Sequence, residues 1–150
     1  MNKVLVAFLT LTLGLFAVFP LAQAQDKEKK KKKKYIAVIT QKNKPKTEIK
    51  TVVARAGSSL FSSGSGKTEI EVRKDGGKLK IAVPFEKIAK IKVLEVNLKQ
   101  NYVKIELTTP TKAVLIGHVA TNVEFAGDTE FGSAKINIRD ALEITMKEMK

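Results

Sequence analysis

The sequence contains no cysteine, no tryptophan and a single histidine, His118. Without cysteine there is no disulfide framework, no thiolate metal site, no cysteine nucleophile and no thiol to carry a lipid behind a leader. With one histidine, most familiar metal and acid–base constellations lack their parts. Negative charge is also scarce, since 15 Asp and Glu stand against 28 Lys and Arg, a formal charge of +13. Aromatic residues make up only 6% of the chain, which leaves few rings with which to stack nucleotide bases.

What is present suits one folded domain with appendages. The 150 residues, 43% hydrophobic and 29% charged, match the size of a single core and are too apolar for a wholly disordered chain. Residues 1–24 read as a secretory signal. Lys3 and the terminal amine form a positive start, residues 4–19 an uncharged apolar run, Pro20 a helix breaker, and Ala22-Gln23-Ala24 a small-residue cleavage site. Cleavage is expected after Ala24, leaving no transmembrane segment and a periplasmic or secreted product. The rival reading is an uncleaved anchor, but residues 4–19 as a helix reach only about 24 Å against roughly 30 Å of hydrocarbon.

Residues 25–34 follow as a flexible tether carrying Lys27, Lys29, Lys30, Lys31, Lys32, Lys33 and Lys34 against two acids. Closely spaced ammonium groups cannot pack in a core, so they stay solvated and seek anionic polymers or lipid head groups. Near an anionic membrane each contributes about 1 kcal/mol. The same tract opposes export, because positive charge behind an apolar segment favours the cytoplasmic side. A plain solubilising spacer is the bland alternative.

From Tyr35 onward the apolar period is close to two, the signature of strands. Residues 35–40 and 48–56 are strand candidates. Between positions 57 and 66, eight of ten residues are Gly or Ser, which marks a loop. Asp75-Gly76 is a preferred two-residue hairpin turn and would set Val72 opposite Leu79 and Ile70 opposite Ile81. Gln100-Asn101 would turn a second hairpin, with Leu98 opposite Val103 and Val96 opposite Ile105. The apolar parity changes between Val93 and Leu94, so this strand needs a bulge there.

A shift of 53 residues aligns residues 64–93 with 117–146, placing Ile70 on Val123, Val72 on Phe125, Val83 on Ile136, Phe85 on Ile138 and Ile91 on Ile144. This reads as an internal duplication of hairpin, short turn and return strand. The expected fold of residues 35–150 is therefore all-β, a sandwich or partly open barrel of about nine or ten short strands. The strands at 103–108 and 114–117 resemble those of Sm-like or SH3-like barrels over about a third of the chain, and the resemblance carries no functional residue across.

Candidate chemistry is thin. Gly64-Ser65-Gly66-Lys67-Thr68 lacks the first glycine of a phosphate loop, which falls on Phe61, and runs into the alternating strand pattern TEIEV rather than a helix. His118 has Glu124, Asp128 and Glu130 nearby in sequence but at no defensible ligand spacing. No G-x-S-x-G elbow occurs. Carboxylate pairs such as Glu69 with Glu71 or Glu124 with Asp128 read as solvated strand faces. Leu60 and Phe61, two large apolar residues inside the Gly/Ser loop, are either a core plug or a contact tip.

The reading that follows is an exported, non-enzymatic envelope-binding or structural module with no cofactor or metal. The lysine tract would hold it to anionic polymers or lipid head groups, with a protein partner also in view. The first alternative is a nucleic-acid-binding β-barrel protein, which would need a basic groove with stacking aromatics among Tyr35, Tyr102, Phe61 and Phe85. The second is a carboxylate-dependent hydrolase.

Overall fold

The computed structural model describes residues 33–56 and 66–150. These form ten antiparallel strands: β1 (Tyr35–Gln41), β2 (Thr47–Ala56), β3 (Glu69–Lys74), β4 (Leu79–Pro84), β5 (Lys90–Asn97), β6 (Tyr102–Thr108), β7 (Val114–Ala120), β8 (Val123–Thr129), β9 (Gly132–Asn137) and β10 (Ala141–Glu148). They lie in one curled sheet in the order β4-β3-β7-β6-β5-β10-β1-β2-β8-β9. The all-β expectation holds, and because β4 and β9 end the sheet, the barrel stays partly open. Among the described residues no helix is long and apolar enough to cross a membrane.

Alternation writes the core directly. Along β1, Tyr35, Ala37 and Ile39 are buried, along β6, Val103, Ile105 and Leu107 are, and along β10, Ala141, Ile144 and Met146 are. These inward side chains form one continuous cluster with Ile49, Val52, Ile70, Val72, Phe85, Phe125 and Ile138. The Phe85 ring stacks on Phe125 at 6.2 Å and meets Tyr35 edge-on at 5.9 Å. Burying each such side chain contributes about 1.5–3 kcal/mol against the entropy of folding. The outward positions Lys78, Lys80, Lys90 and Lys92 are exposed and keep the sheet surface soluble.

The duplication is real and larger than the sequence suggests. Two short 3₁₀ turns, Phe85–Lys87 and Ile138–Asp140, occupy equivalent places, and the strand order reads alike from either end. Ile70 opposite Val83 in β3–β4 matches Phe125 opposite Ile136 in β8–β9. Ile39 opposite Ile144 matches Leu107 opposite Ile91. Each repeat therefore has five strands, β1–β5 and β6–β10. The repeats interleave: hairpin β1–β2 sits between β10 and β8, while hairpin β6–β7 sits between β5 and β3.

Two sequence-derived registers are corrected by two residues. In β3–β4, Val72 faces Ile81 and Ile70 faces Val83, because the connection is a four-residue turn in which Asp75, Gly76 and Gly77 all have positive φ. In β5–β6, Val96 faces Val103 and Val93 faces Ile105. The latter register places Glu95 opposite Lys104 and Lys92 opposite Glu106, whereas pairing Val96 with Ile105 would set the neighbouring Glu95 against Glu106. Opposite charges across a ladder stabilise it, like charges do not. The bulge does fall between Val93 and Glu95. The ungapped 53-residue alignment holds from Val83 onward, but Ile70 corresponds to Phe125 and not to Val123, since the β8–β9 turn is two residues shorter than the β3–β4 turn.

On each side, where a strand of one repeat pairs with a strand of the other, at β3–β7 and at β2–β8, a close-approach corner needs one residue without a side chain. A Cβ on Gly117 of β7 would strike Val72 Cγ1 and the Arg73 carbonyl oxygen of β3, and one on Gly127 of β8 would strike Ile49 and the Lys50 carbonyl oxygen of β2. The corners are equivalent, yet glycine is contributed by the outer hairpin strand in one and by the inner in the other. The first repeat also carries a long link between β2 and β3, where Ala54 and Lys67 exchange both backbone hydrogen bonds at 2.8 and 2.9 Å. The second has only Thr121 and Asn122 between β7 and β8.

Candidate functional site

The groups with the most chemistry to offer meet at the end of the first half-barrel. Strand β6 brings Tyr102 and Lys104 to its outward face, and its hairpin partner β7 sets His118 opposite Lys104. On the far side of β7, Arg73 of β3 pairs with His118. Arg73 thus reaches the histidine only because the repeats interleave. The Tyr102 and His118 rings meet edge to face, with centroids 4.5 Å apart.

Two turns wall this cluster into a depression of about 400 Å³. One is the Gly76-Gly77 turn. The other is the turn before β6, held by a hydrogen bond of 3.0 Å from the Gln100 backbone N–H to Asn97 Oδ1 and by positive φ at Asn101. Asn97 Nδ2 also donates to the Tyr102 hydroxyl at 3.4 Å. The walls carry Arg73, His118 and amide groups but no carboxylate. Arg73 also has an acidic partner outside the walls, Glu71, whose carboxylate sits 3.1 Å from Arg73 Nε and 4.0 Å from Lys80 Nζ. Such a surface can hold an anion beside a ring.

The other candidates fall elsewhere. Of the seven tether lysines, Lys33 and Lys34 lie among the described residues; Lys27, Lys29, Lys30, Lys31 and Lys32 lie outside them. Lys33 Nζ pairs with Glu148 at 3.2 Å, and the hydrogen bond to that carboxylate raises the lysine above its ordinary pKa. The Met149 N–H donates to the Lys34 carbonyl at 2.9 Å, so the tract enters the domain alongside the end of β10. Leu60 and Phe61 also lie outside the described residues. Tyr35 and Phe85 are core residues, which leaves Tyr102 as the described aromatic of that set able to meet a ligand.

The nominated carboxylates are each matched by a base. Glu69 pairs with Lys67 at 3.6 Å, Glu71 with Arg73, and across the β2–β8 ladder Glu124 faces Arg55 while Asp128 faces Lys50. Among the described residues no three His, Asp or Glu side chains gather closely enough to hold a metal ion. Lys67 and Thr68 lead into strand β3, as the alternating TEIEV pattern implied. One exposed ring was not anticipated: Phe131, 98% exposed at the tip of the two-residue β8–β9 turn.

The fold and site define an open, internally duplicated antiparallel β-barrel with a basic, aromatic depression at one end. A family model described as "Uncharacterised protein" matches residues 46–149, from the start of β2 to just past β10, and the chain belongs to that family. No curated protein and no solved structure matches it.

Proposed function

We propose that the chain is an exported, non-catalytic binding module of the cell envelope, held electrostatically to anionic polymers or lipid head groups by its lysine tract. The observation that carries this reading is the way the tract joins the domain. Lys33 pairs with Glu148 and the Lys34 carbonyl accepts from the Met149 N–H, so the end of the tract is joined to the end of β10. Lys33 and Lys34 are themselves exposed, outside the core. Seven cations on ten residues supply the attraction, and salt should screen it.

The test is retention of the exported chain on heparin and on lipopolysaccharide vesicles across a salt series, with and without residues 25–34. Retention that weakens with salt and drops sharply without the tract is the expected outcome. Undiminished binding by the shortened chain would falsify the tether.

A nucleic-acid-binding reading has one observation in its favour, the grouping of Arg73, Lys104 and His118 around Tyr102. It would show as retention on DNA above the salt concentration that strips heparin, lost on Arg73→Gln and Tyr102→Ala.

A further inference from the structure

At the end of the central strands β5 and β10 away from Glu148, the sheet leaves a groove open to solvent. Two bulges cause this. Between Val93 and Glu95 of β5, Leu94 is an extra residue, and between Ala141 and Glu143 of β10, Leu142 is the extra residue against β1. Because β5 and β10 are antiparallel neighbours joined at Lys92 and Glu143, both bulges lie at the same end. Each leaves a leucine unpaired over one groove of about 490 Å³, with Val96 beside them. Leu94, Val96 and Leu142 are 42%, 41% and 48% exposed, although water is a poor solvent for all three.

The rim of this groove is cationic. Lys42 and Lys44 come from the β1–β2 turn and Arg139 from the turn before β10. Of the two acids in the groove, Glu95 faces Lys104 across the ladder and Asp140 lies 4.0 Å from Arg139. Lys42 and Lys44 have no ion pair among the described residues. An apolar floor with uncompensated ammonium groups at one lip is complementary to one kind of ligand.

We propose that this groove binds a single-chain anionic amphiphile, its alkyl chain laid over Leu94, Val96 and Leu142 and its head group against Lys42 and Lys44. A single alkyl chain laid along the groove is enough to cover all three side chains. The groove shares no residue with Lys33, Lys34 or the Tyr102–His118 depression, and neither reading is needed for it.

The experiment uses the full chain with ¹³C-labelled leucine and valine methyls, titrated with dodecanoate, decanoate, dodecyl phosphate and dodecyl maltoside, each below its micelle concentration. Saturable shifts at the methyls of Leu94, Val96 and Leu142 are expected with dodecanoate. Removing two methylenes, as in decanoate, should weaken binding about tenfold. Lys42→Gln with Lys44→Gln should weaken it several-fold, and Leu142→Asn about tenfold, while the core methyls of Ile-facing Val72 and Leu107 keep their positions and report an intact fold. Whichever of dodecanoate and dodecyl phosphate binds more tightly assigns the head group as carboxylate or phosphate. The proposal is overturned by shifts confined to other methyls, by an absence of saturation below micelle formation, or by equal affinity for uncharged dodecyl maltoside.

Discussion

Ile91 and Ile144 face each other across the central strand pair, and the 53-residue shift relating the repeats carries one onto the other. Their flanking pairs, Lys92 with Glu143 and Lys90 with Thr145, exchange places under the same operation. The pseudo-twofold axis of the molecule therefore passes between these two isoleucines, both fully buried. Replacing either by alanine removes packing from both half-barrels at once. The expected loss for Ile91→Ala or Ile144→Ala is about 2–5 kcal/mol in denaturant unfolding. A double variant costing no more than one single variant would point to a shared cavity; a loss below that range would show the seam to be unimportant.

The corner glycines make a sharper test. Gly117→Ala drives a methyl into Val72 and should destabilise the protein by about 1–3 kcal/mol. Val72→Ala made in the same chain opens the space again and should recover part of that loss. If the pair is simply additive in chemical denaturation, the corner is not limited by this contact.

Alkaline pH should loosen the end where the tether enters. Burial, with the Glu86 charge adding to it, raises the Tyr35 hydroxyl above its ordinary 10.0, and Glu148 raises Lys33 above 10.5. Both groups hold their protons more tightly folded than unfolded, so the stability they contribute is complete below these ordinary values and is lost as pH rises through the raised ones. Thermal unfolding midpoints across an alkaline pH series should fall in that window. Tyr35→Phe should flatten the fall, and Glu148→Gln should reduce its lysine share; a profile unchanged by either variant rules the linkage out.

Surface charge on the β3–β4 hairpin should matter little. Arg73 faces Lys80 directly, and Glu71 stands between them, with all three side chains about half exposed. Glu71→Gln is expected to cost about 0–1 kcal/mol, less at high salt. A larger, salt-insensitive loss would mean that Glu71 has a packing role.

Phe131 is the contrasting case. Its ring touches little of the fold, so Phe131→Ser should leave the unfolding midpoint within about 0.5 kcal/mol of the parent. A clear destabilisation in the same assay would contradict its exposure.

The strands were legible because inward residues such as Tyr35, Ala37 and Ile39 alternate without interruption. The return strand β10 was legible because Ile144 repeats Ile91. Registers were not, since Asp75-Gly76 reads as a two-residue turn while Gly77, also in positive φ, lengthens it to four. The neighbours of β7 were hidden for a different reason. A tight Thr121-Asn122 link suggests that β7 pairs with β8, but β7 pairs with β3, and nothing local encodes that choice. The grouping of Arg73 with His118 depends on it and was invisible for the same reason. The groove at Leu94 and Leu142 left one trace, the parity break at Val93, which located the first bulge but gave no hint of the second.

The interleaving of the repeats has a consequence for how this chain can come into being. Neither half has a complete set of neighbours in its own repeat: β1 finds its partner β10 at 100–113 residues' distance in sequence, and β2 its partner β8 at 67–78. A polypeptide ending after β5 would be a pair of orphaned hairpins, obliged to find a twin before it could bury anything. The present molecule is a mutual embrace of two such twins made permanent by the short connection from β5 to β6. Severed there, its two pieces should be shapeless apart and restore each other's form when mixed.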